Sequence, residues 1–318
     1  MQEELMLSII CPTYNQGKYL HQGIKSILMQ KVNFKYEVLV GEDCSPDNSL
    51  ELLREYERQY PDIFQVFHRE QNLRQSKNVY DLFKRSKGKY IIILDLDDYW
   101  TDENKLQKQV DFLEQHPEYI GVAHDFDIVD KDSLVVESRD NQEIKNYLGK
   151  EFLLQDFLDK GFVFQTGTFL YHNVWRDKED YTILYKADHT VIDLTIYSML
   201  LLESKIFILP DKMSAYRVVI TEGATNARSV GGKDLALDIY TLAGQLKILY
   251  HYFNKRIDYS TRWSNLLWRY FKGIMAHQDS RYHVKDWSKM FLESSGKSKY
   301  IFLNELRKSM MRNIKRKQ

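Results

Sequence analysis

Cysteine is scarce: the 318 residues contain only Cys11 and Cys44. That argues against a disulfide framework and fits a reducing cytosol, with both read as small buried thiols. No stretch approaches the ~18 consecutive apolar residues of a spanning helix. The opening "MQEELMLSII" lacks the basic start and long apolar segment of a secretory signal. These absences predict a cytoplasmic protein, soluble or at most peripheral at the inner face of the cell membrane. Glycine-rich phosphate loops are missing too. Neither G-x-G-x-x-G nor G-x-x-x-x-G-K-[ST] occurs, and the lone Gly17-Lys18 is no substitute. A dinucleotide dehydrogenase or P-loop enzyme is therefore disfavoured. No Cys/His cluster has zinc-ligand spacing, and no nucleic-acid-binding motif appears.

What is present is enough for a large core, with 43% hydrophobic and 14% aromatic residues. The net charge of zero hides an asymmetry. Residues 233–318 hold 18 Lys and Arg against 7 Asp and Glu, leaving 27 against 38 in residues 1–232. Two regions facing different partners are expected, one over 1–232 and a basic, aromatic, helical one over 233–318.

Along the first region, strands and helices alternate. "LMLSIICP" reads as a buried strand ended by Pro12, followed by a helix capped by Asn15 with Tyr19, Leu20, Ile24, Ile27 and Leu28 on its apolar face. "YEVLVGED" is a second strand, and a helix after Pro46-Asp47 buries Leu50, Leu53 and Tyr56. "IFQVFHRE" is a third strand, then "SKNVYDLFKRSKG" a helix closed by Gly88. "YIIILDL" is a fourth strand. Further on, a helix at about 102–116, strands in "EYIGVAHDFDIVD", "FVFQTGTFLYHN" and "KIFILPDKMSAYRV", and a helix in "HTVIDLTIYSMLLLES" are expected, with Pro210 at an edge or bend.

This alternation predicts an α/β fold, with a mostly parallel sheet flanked by helices and right-handed crossovers. Such sheets bind ligands at the carboxyl ends of their strands. Pro12-Thr13-Tyr14-Asn15, Glu42-Asp43 and Asp95-Leu96-Asp97-Asp98 all fall there, so they should converge on one crevice. Crowded carboxylates call for a cation, and a hard oxygen set favours Mg²⁺ or Mn²⁺ with substrate phosphates completing the sphere. The competing reading of the triplet is a solvated acidic turn that caps the next helix, a role Asp102 suits better.

"SIICPTYNQGKYLHQGIKSILMQ", "YEVLVGEDCSPDNS" and "GKYIIILDLDDYW" together resemble the family 2 glycosyltransferases of the GT-A fold. The resemblance spans roughly residues 7–220. It implies that Pro12, Thr13, Tyr14, Asn15 and Asp43, with Asp47 as an addition, meet the nucleoside of a UDP-sugar or related donor. It implies Asp95 near the ribose and Asp97 as metal ligand, with Asp98 the alternative. Where relatives read N-x-G, this chain has Asn72-Leu73-Arg74, so Arg74, like Lys77, would face a phosphate or the uracil unless it is a solvated loop charge. The family's general base sits at the start of a helix that precedes a Tyr-Arg pair. With Tyr216-Arg217 as that pair, the base is Asp193, with Asp188 beside His189 the competitor. Arg217 becomes a diphosphate clamp. The His that often follows that pair is replaced by Val218-Val219-Ile220-Thr221. His124, Asp125 and Asp127 are open to acceptor or structural roles.

The expectation is an inverting hexosyltransferase acting on a glycan, lipid-linked or glycoprotein acceptor in bacterial surface-polysaccharide or glycoprotein synthesis. Two alternatives are a sugar nucleotidyltransferase, which would want a basic, Gly-rich first loop, and a non-catalytic glycan-binding module. Within "YIFLNELRKSMMRNIKRKQ", Leu303, Leu306, Met310 and Ile314 form one stripe, and six basic residues follow from Arg307 onward. That helix suits an anionic membrane surface or the catalytic domain itself.

Overall fold

The computed structural model describes residues 4–136, 141–176, 178, 180–188, 192–219, 235–275 and 282–315. The expectations for His189, Ile220, Thr221 and the last three residues lie outside these. Two compact units are formed, Met1–Val230 and Gly231–Gln318.

The first unit is built on a nine-stranded sheet: β1 (Leu5–Thr13), β2 (Lys35–Glu42), β3 (Phe64–His68), β4 (Tyr90–Ile93), β5 (Tyr99–Trp100), β6 (Tyr119–Val129), β7 (Lys150–Phe152), β8 (Leu170–His172) and β9 (Lys205–Arg217). The order is β3-β2-β1-β4-β8-β6-β9-β5, with β7 paired to β9. The pairs β1–β2, β1–β4, β2–β3 and the long β6–β9 ladder are parallel, and the shorter remaining pairs antiparallel. This is the mixed, mostly parallel architecture that the alternating pattern predicts. Its helices are α1 (Leu20–Leu28), α2 (Ser49–Gln59), α3 (Arg74–Arg85), α4 (Lys105–Gln115), α5 (Leu154–Lys160), α6 (Ile183–Lys186) and α7 (Asp193–Glu203).

Side chains alternate across β1, and the two faces pack different helices. Leu7, Ile9 and Cys11 join Leu20, Ile24 and Ile27 of α1, Leu53 of α2 and Leu106 of α4 in one apolar core. Helix α3 covers β1 and β2 separately from that cluster, where the Asn78 amide donates to the Gly41 carbonyl at 2.7 Å.

Three local expectations are corrected. First, β1 does not end at Pro12 but runs on to Thr13. Ile10 and Thr13 carbonyls bond Leu94 and Asp43 respectively, so alternation turns the Pro12 nitrogen toward the β4 side. The β1–β4 register has already ended there at Ile10–Ile93, so the missing N–H leaves no ladder bond unmade. Second, Asn15 does not cap α1. It takes a left-handed φ of 56° in a loop whose Gln16 carbonyl receives the Tyr19 and Leu20 amides. Third, Gly88 is no helix cap, because α3 closes at Ser86. Gly88 is required instead by crowding: an added Cβ would lie 2.5 Å from the Ser8 nitrogen and 2.6 Å from the Leu7 carbonyl carbon.

The second unit holds α8 (Leu235–Tyr252), α9 (Ser260–Met275), α10 (Val284–Glu293) and α11 (Gly296–Lys315). Its aromatics are mainly internal. The Trp263 indole donates to Met290, that of Trp287 donates to Leu267, and Phe302 packs against Trp268, Phe271, Trp287 and Phe291.

Candidate active site

Four parallel strands end side by side, and three loops leaving them are tied to one another. After β4 the chain makes a tight turn in which the Asp98 amide bonds the Asp95 carbonyl at 2.9 Å. The buried Gln16 amide group grips this turn from the β1 loop. Its oxygen accepts from the Leu96 N–H and its nitrogen donates to Asp97 Oδ1, both at 3.2 Å. The β1 and β2 loops are joined by Asn15 N–H to Ser45 Oγ at 3.0 Å and Gly17 N–H to Asp47 Oδ2 at 2.8 Å. Pro12 and Thr13 are buried behind them, while Tyr14 stands 46% exposed at the rim.

Asp43 is buried at 3% exposure, and its Oδ1 accepts the Leu73 N–H at 2.7 Å. Burial raises its carboxyl, and the Leu73 and Arg74 amides partly offset this. Asp43 thus braces the loop that opens α3. In that loop Arg74 takes φ 66°, so the left-handed conformation is kept although the glycine is not. The Asn72 side chain steadies it by accepting the Arg74 N–H at 2.9 Å. Both Asp47 oxygens are engaged, by Gly17 and by the Ser49 amide, so Asp47 acts here as a loop brace.

The three carboxylates of the β4 turn differ. Asp98 is turned inward: its Oδ1 accepts the Arg217 backbone N–H at 2.7 Å, and burial and then Asp97 push its carboxyl well up. Asp95 is raised by burial, then by the charges of Asp97 and Asp193. Asp97 is itself buried at 5% exposure, with Oδ1 accepting from Gln16, and it crowds Asp95 in the same turn. Among the described residues no three His, Cys, Asp or Glu side chains converge on one metal position. Two crowded carboxylates fit a hard divalent ion that takes its other ligands from phosphate and water.

Asp193 opens α7 and helps to wall a small, mostly apolar cavity with Ile93, Thr166, Phe169, Tyr171, Ile196 and Tyr197. Burial lifts its carboxyl to about 6. Its influence on Asp95 places α7 within electrostatic reach of the β4 turn. Asp188 is also buried, at 8% exposure, but forms no wall of that cavity.

Several expectations change. Arg217 is not an open fork: it is 1% exposed, and its side chain donates to Asp97 O, Asp130 O, Ser133 Oγ and Gln22 Oε1. His124 is fully buried, with Nδ1 on the Asp125 carbonyl at 2.7 Å, and burial followed by the nearby Lys105 charge keeps it neutral. Asp127 pairs with Lys212 at 2.7 Å. The Asp127 pair crosses from β6 to β9, whereas the His124 bond stays within β6. Asp102 takes the Asn104 amide at 2.8 Å, an Asx turn at the start of α4 rather than a cap on it. Cys44 is exposed, against the expectation of two buried thiols. Sequence reasoning missed Gln16, Gln22 and Ser133, because polar loop residues carry no periodic signal.

The sequence profile of glycosyl transferase family 2 matches residues 8–173. The chain belongs to that family. It is similar to TuaG of Bacillus subtilis, named as a glycosyltransferase of teichuronic acid biosynthesis, at 31% identity over 34% of this chain and 42% of the relative. Uncharacterised mycobacterial relatives, including one from Mycobacterium tuberculosis, match at 28% identity over 66% of this chain. The chain spans 58% of their length. Among solved structures, S. aureus TarS 1-349 in complex with UDP-GlcNAc superposes with a TM-score of 0.59 at 18% identity, over 90% of this chain and 80% of that one. A mannosyltransferase from Pyrobaculum calidifontis in complex with GDP-Man and Mn²⁺ gives 0.54 at 13%, over 97% and 81%. These likenesses show the GT-A fold of the family 2 glycosyltransferase.

Proposed function

We propose that this family 2 member is a metal-dependent, inverting glycosyltransferase that takes a sugar from a nucleoside-diphosphate donor, a UDP-sugar, to an acceptor hydroxyl. What supports the reading is the Asp95–Asp97 turn after β4, gripped by Gln16 of the Pro12–Asn15 loop, with Asp193 walling a cavity against Ile93 at the end of the same strand. The half formed by residues 1–100 holds the donor. Tyr14 offers its exposed ring to the nucleobase, Thr13 and Asp43 shape the floor, and Arg74 stands at the rim of the same loop set. Asp95 and Asp97 would hold Mn²⁺ or Mg²⁺, which would supply positive charge for the departing diphosphate.

Asp193, in the half formed by residues 101–232, is the general base. It takes the proton of the acceptor hydroxyl as that oxygen forms its bond to the anomeric carbon. The bond to the diphosphate oxygen breaks on the opposite face, so the configuration inverts. The apolar wall behind Asp193 keeps its basicity high enough to accept that proton. The acceptor is a glycan, lipid-linked or glycoprotein chain of bacterial surface-polymer synthesis, a setting that the teichuronic acid name of TuaG supports. The basic helix α11 keeps the enzyme at the inner membrane face.

Turnover of UDP-sugars with Mn²⁺ tests this. Asp193→Asn is expected to lower kcat by ~10² to 10⁴, and Asp97→Ala to abolish the response to Mn²⁺. Full turnover in both variants overturns the assignment.

A further inference from the structure

The end of β9 carries a buried cation that the transfer chemistry leaves unused. The Arg217 guanidinium lies over two rings, 4.4 Å from the centroid of Tyr19 and 5.5 Å from that of Tyr99. Its Nε donates to the Asp97 carbonyl at 2.8 Å, its Nη1 to Asp130 O at 2.9 Å and Ser133 Oγ at 3.1 Å, and its Nη2 to Gln22 Oε1 at 2.7 Å. Its backbone N–H holds Asp98 Oδ1 at 2.7 Å. Ser133, itself at φ 65°, also donates to Gln22 Oε1 at 3.2 Å. One side chain therefore ties together α1, the Asp95–Asp98 turn, the turn after β6 and the end of β9.

We propose that Arg217 is a positioning residue for the Asp97–Asp98 turn, fixing where its carboxylates point, and makes no contact with the donor diphosphate. A clamp on phosphate needs a fork open to the cleft. Here the fork is closed by protein acceptors on three segments, and the group also contacts the Tyr19 and Tyr99 rings. Lysine cannot replace it, because a single ammonium cannot serve Nε, Nη1 and Nη2 positions at once. The grip is doubled at the turn, since side chain and backbone of the same residue hold adjacent aspartates. The nucleotide part of the test below rests on the donor-site reading, whereas the backbone part stands without it.

The experiment uses the full chain as wild type, as Arg217→Lys, and as the double variant Gln22→Leu/Ser133→Ala, which keeps Arg217 but removes two of its anchors. Hydrogen exchange is followed by peptide. Both variants are expected to speed exchange at residues 95–99 by about tenfold or more, with β2 unchanged, because a local opening is made easier without global unfolding. UDP affinity is then measured in EDTA and in Mn²⁺. The expected result is an unchanged affinity in EDTA and a Mn²⁺-dependent gain reduced about tenfold, the loss of roughly one charge-assisted hydrogen bond. Unchanged exchange at 95–99, or an equal loss of UDP affinity with and without Mn²⁺, overturns the proposal. Loosening of the turn in a chain whose wild type binds no UDP supports the positioning role and removes the donor-site reading instead.

Discussion

Asp193 illustrates how one residue's surroundings set its chemistry. A carboxylate in water has a pKa of about 3.9. Here the cavity wall of Phe169, Tyr171 and Tyr197 removes solvent and lifts it to about 6. The folded value is raised, so the charged form is penalised in the native state. That cost is absent below about pH 3.9, grows as pH rises, and is complete above about pH 6. Two outcomes follow for the same Asp193→Asn variant. Transfer by the wild type should fall away below about pH 6 as the base takes up a proton, and this acidic limb should vanish from the residual rate of the variant. The variant should also be more stable than wild type at pH 8, by about 1 to 2 kcal/mol, and no more stable at pH 4. Urea unfolding at the two pH values checks the sign. Arg74 shows the other side of residue-scale physics: the left-handed turn persists without glycine because Asn72 and Asp43 satisfy the local amides.

At the scale of elements, the site depends on how closely β1 and the β4 approach can pack. Gly88 lies where the chain returns from α3 to enter β4, and its N–H donates to Ser8 Oγ at 2.9 Å. A methyl there would press on backbone atoms of Leu7 and Ser8, which cannot rotate away as a side chain does. Gly88→Ala is expected to destabilise the protein by about 1 to 3 kcal/mol through overpacking. Thermal unfolding should show it, and an unchanged midpoint would contradict the crowding. The shift should reach the site as well, since the same strand carries the Asp95–Asp98 turn. Long β9 works in the same way from the other side. It is bulged against β6 between Leu209 and Lys212, the span that holds Pro210, and so delivers Arg217 to Asp98.

At the scale of the whole molecule, the charge asymmetry finds a physical basis in the second unit. Helix α11 buries Phe302, yet leaves Tyr300 72%, Leu303 52%, Met310 59% and Met311 53% exposed among Lys299, Arg307 and Lys308. None of the helices among the described residues is long and apolar enough to cross a membrane. An exposed apolar stripe beside cations suits the surface of an anionic bilayer, where each basic group near the headgroups adds ~1 kcal/mol. The full chain is expected to float with vesicles rich in acidic lipid and to be released by high salt. Removing residues 300–318 should leave it in the soluble fraction. Equal flotation with and without them would exclude this helix as the contact.

Much of the fold was legible in the sequence because its signals are local. Two-residue alternation, 3.6-residue periodicity and runs such as "YIIILDL" fixed the order of strands and helices, and strand ends then placed Pro12–Asn15, Asp43 and Asp95–Asp98 on one edge. What failed were local rules that tertiary contacts override: Pro12 as a terminator, Asn15 as a cap, Gly88 as a helix end. Each was decided by a neighbouring strand or loop. The roles of the polar residues lay further still from the sequence. Whether Arg217 opens toward solvent or closes on protein depends on Gln22, 195 residues away, and on the carbonyl of Asp97, 120 away. The sequence by itself determined which elements form and which chemistry gathers at their ends. Only the tertiary structure decided which way each carboxylate and the guanidinium face, because a hydrogen bond chooses its partner by distance in space and not along the chain.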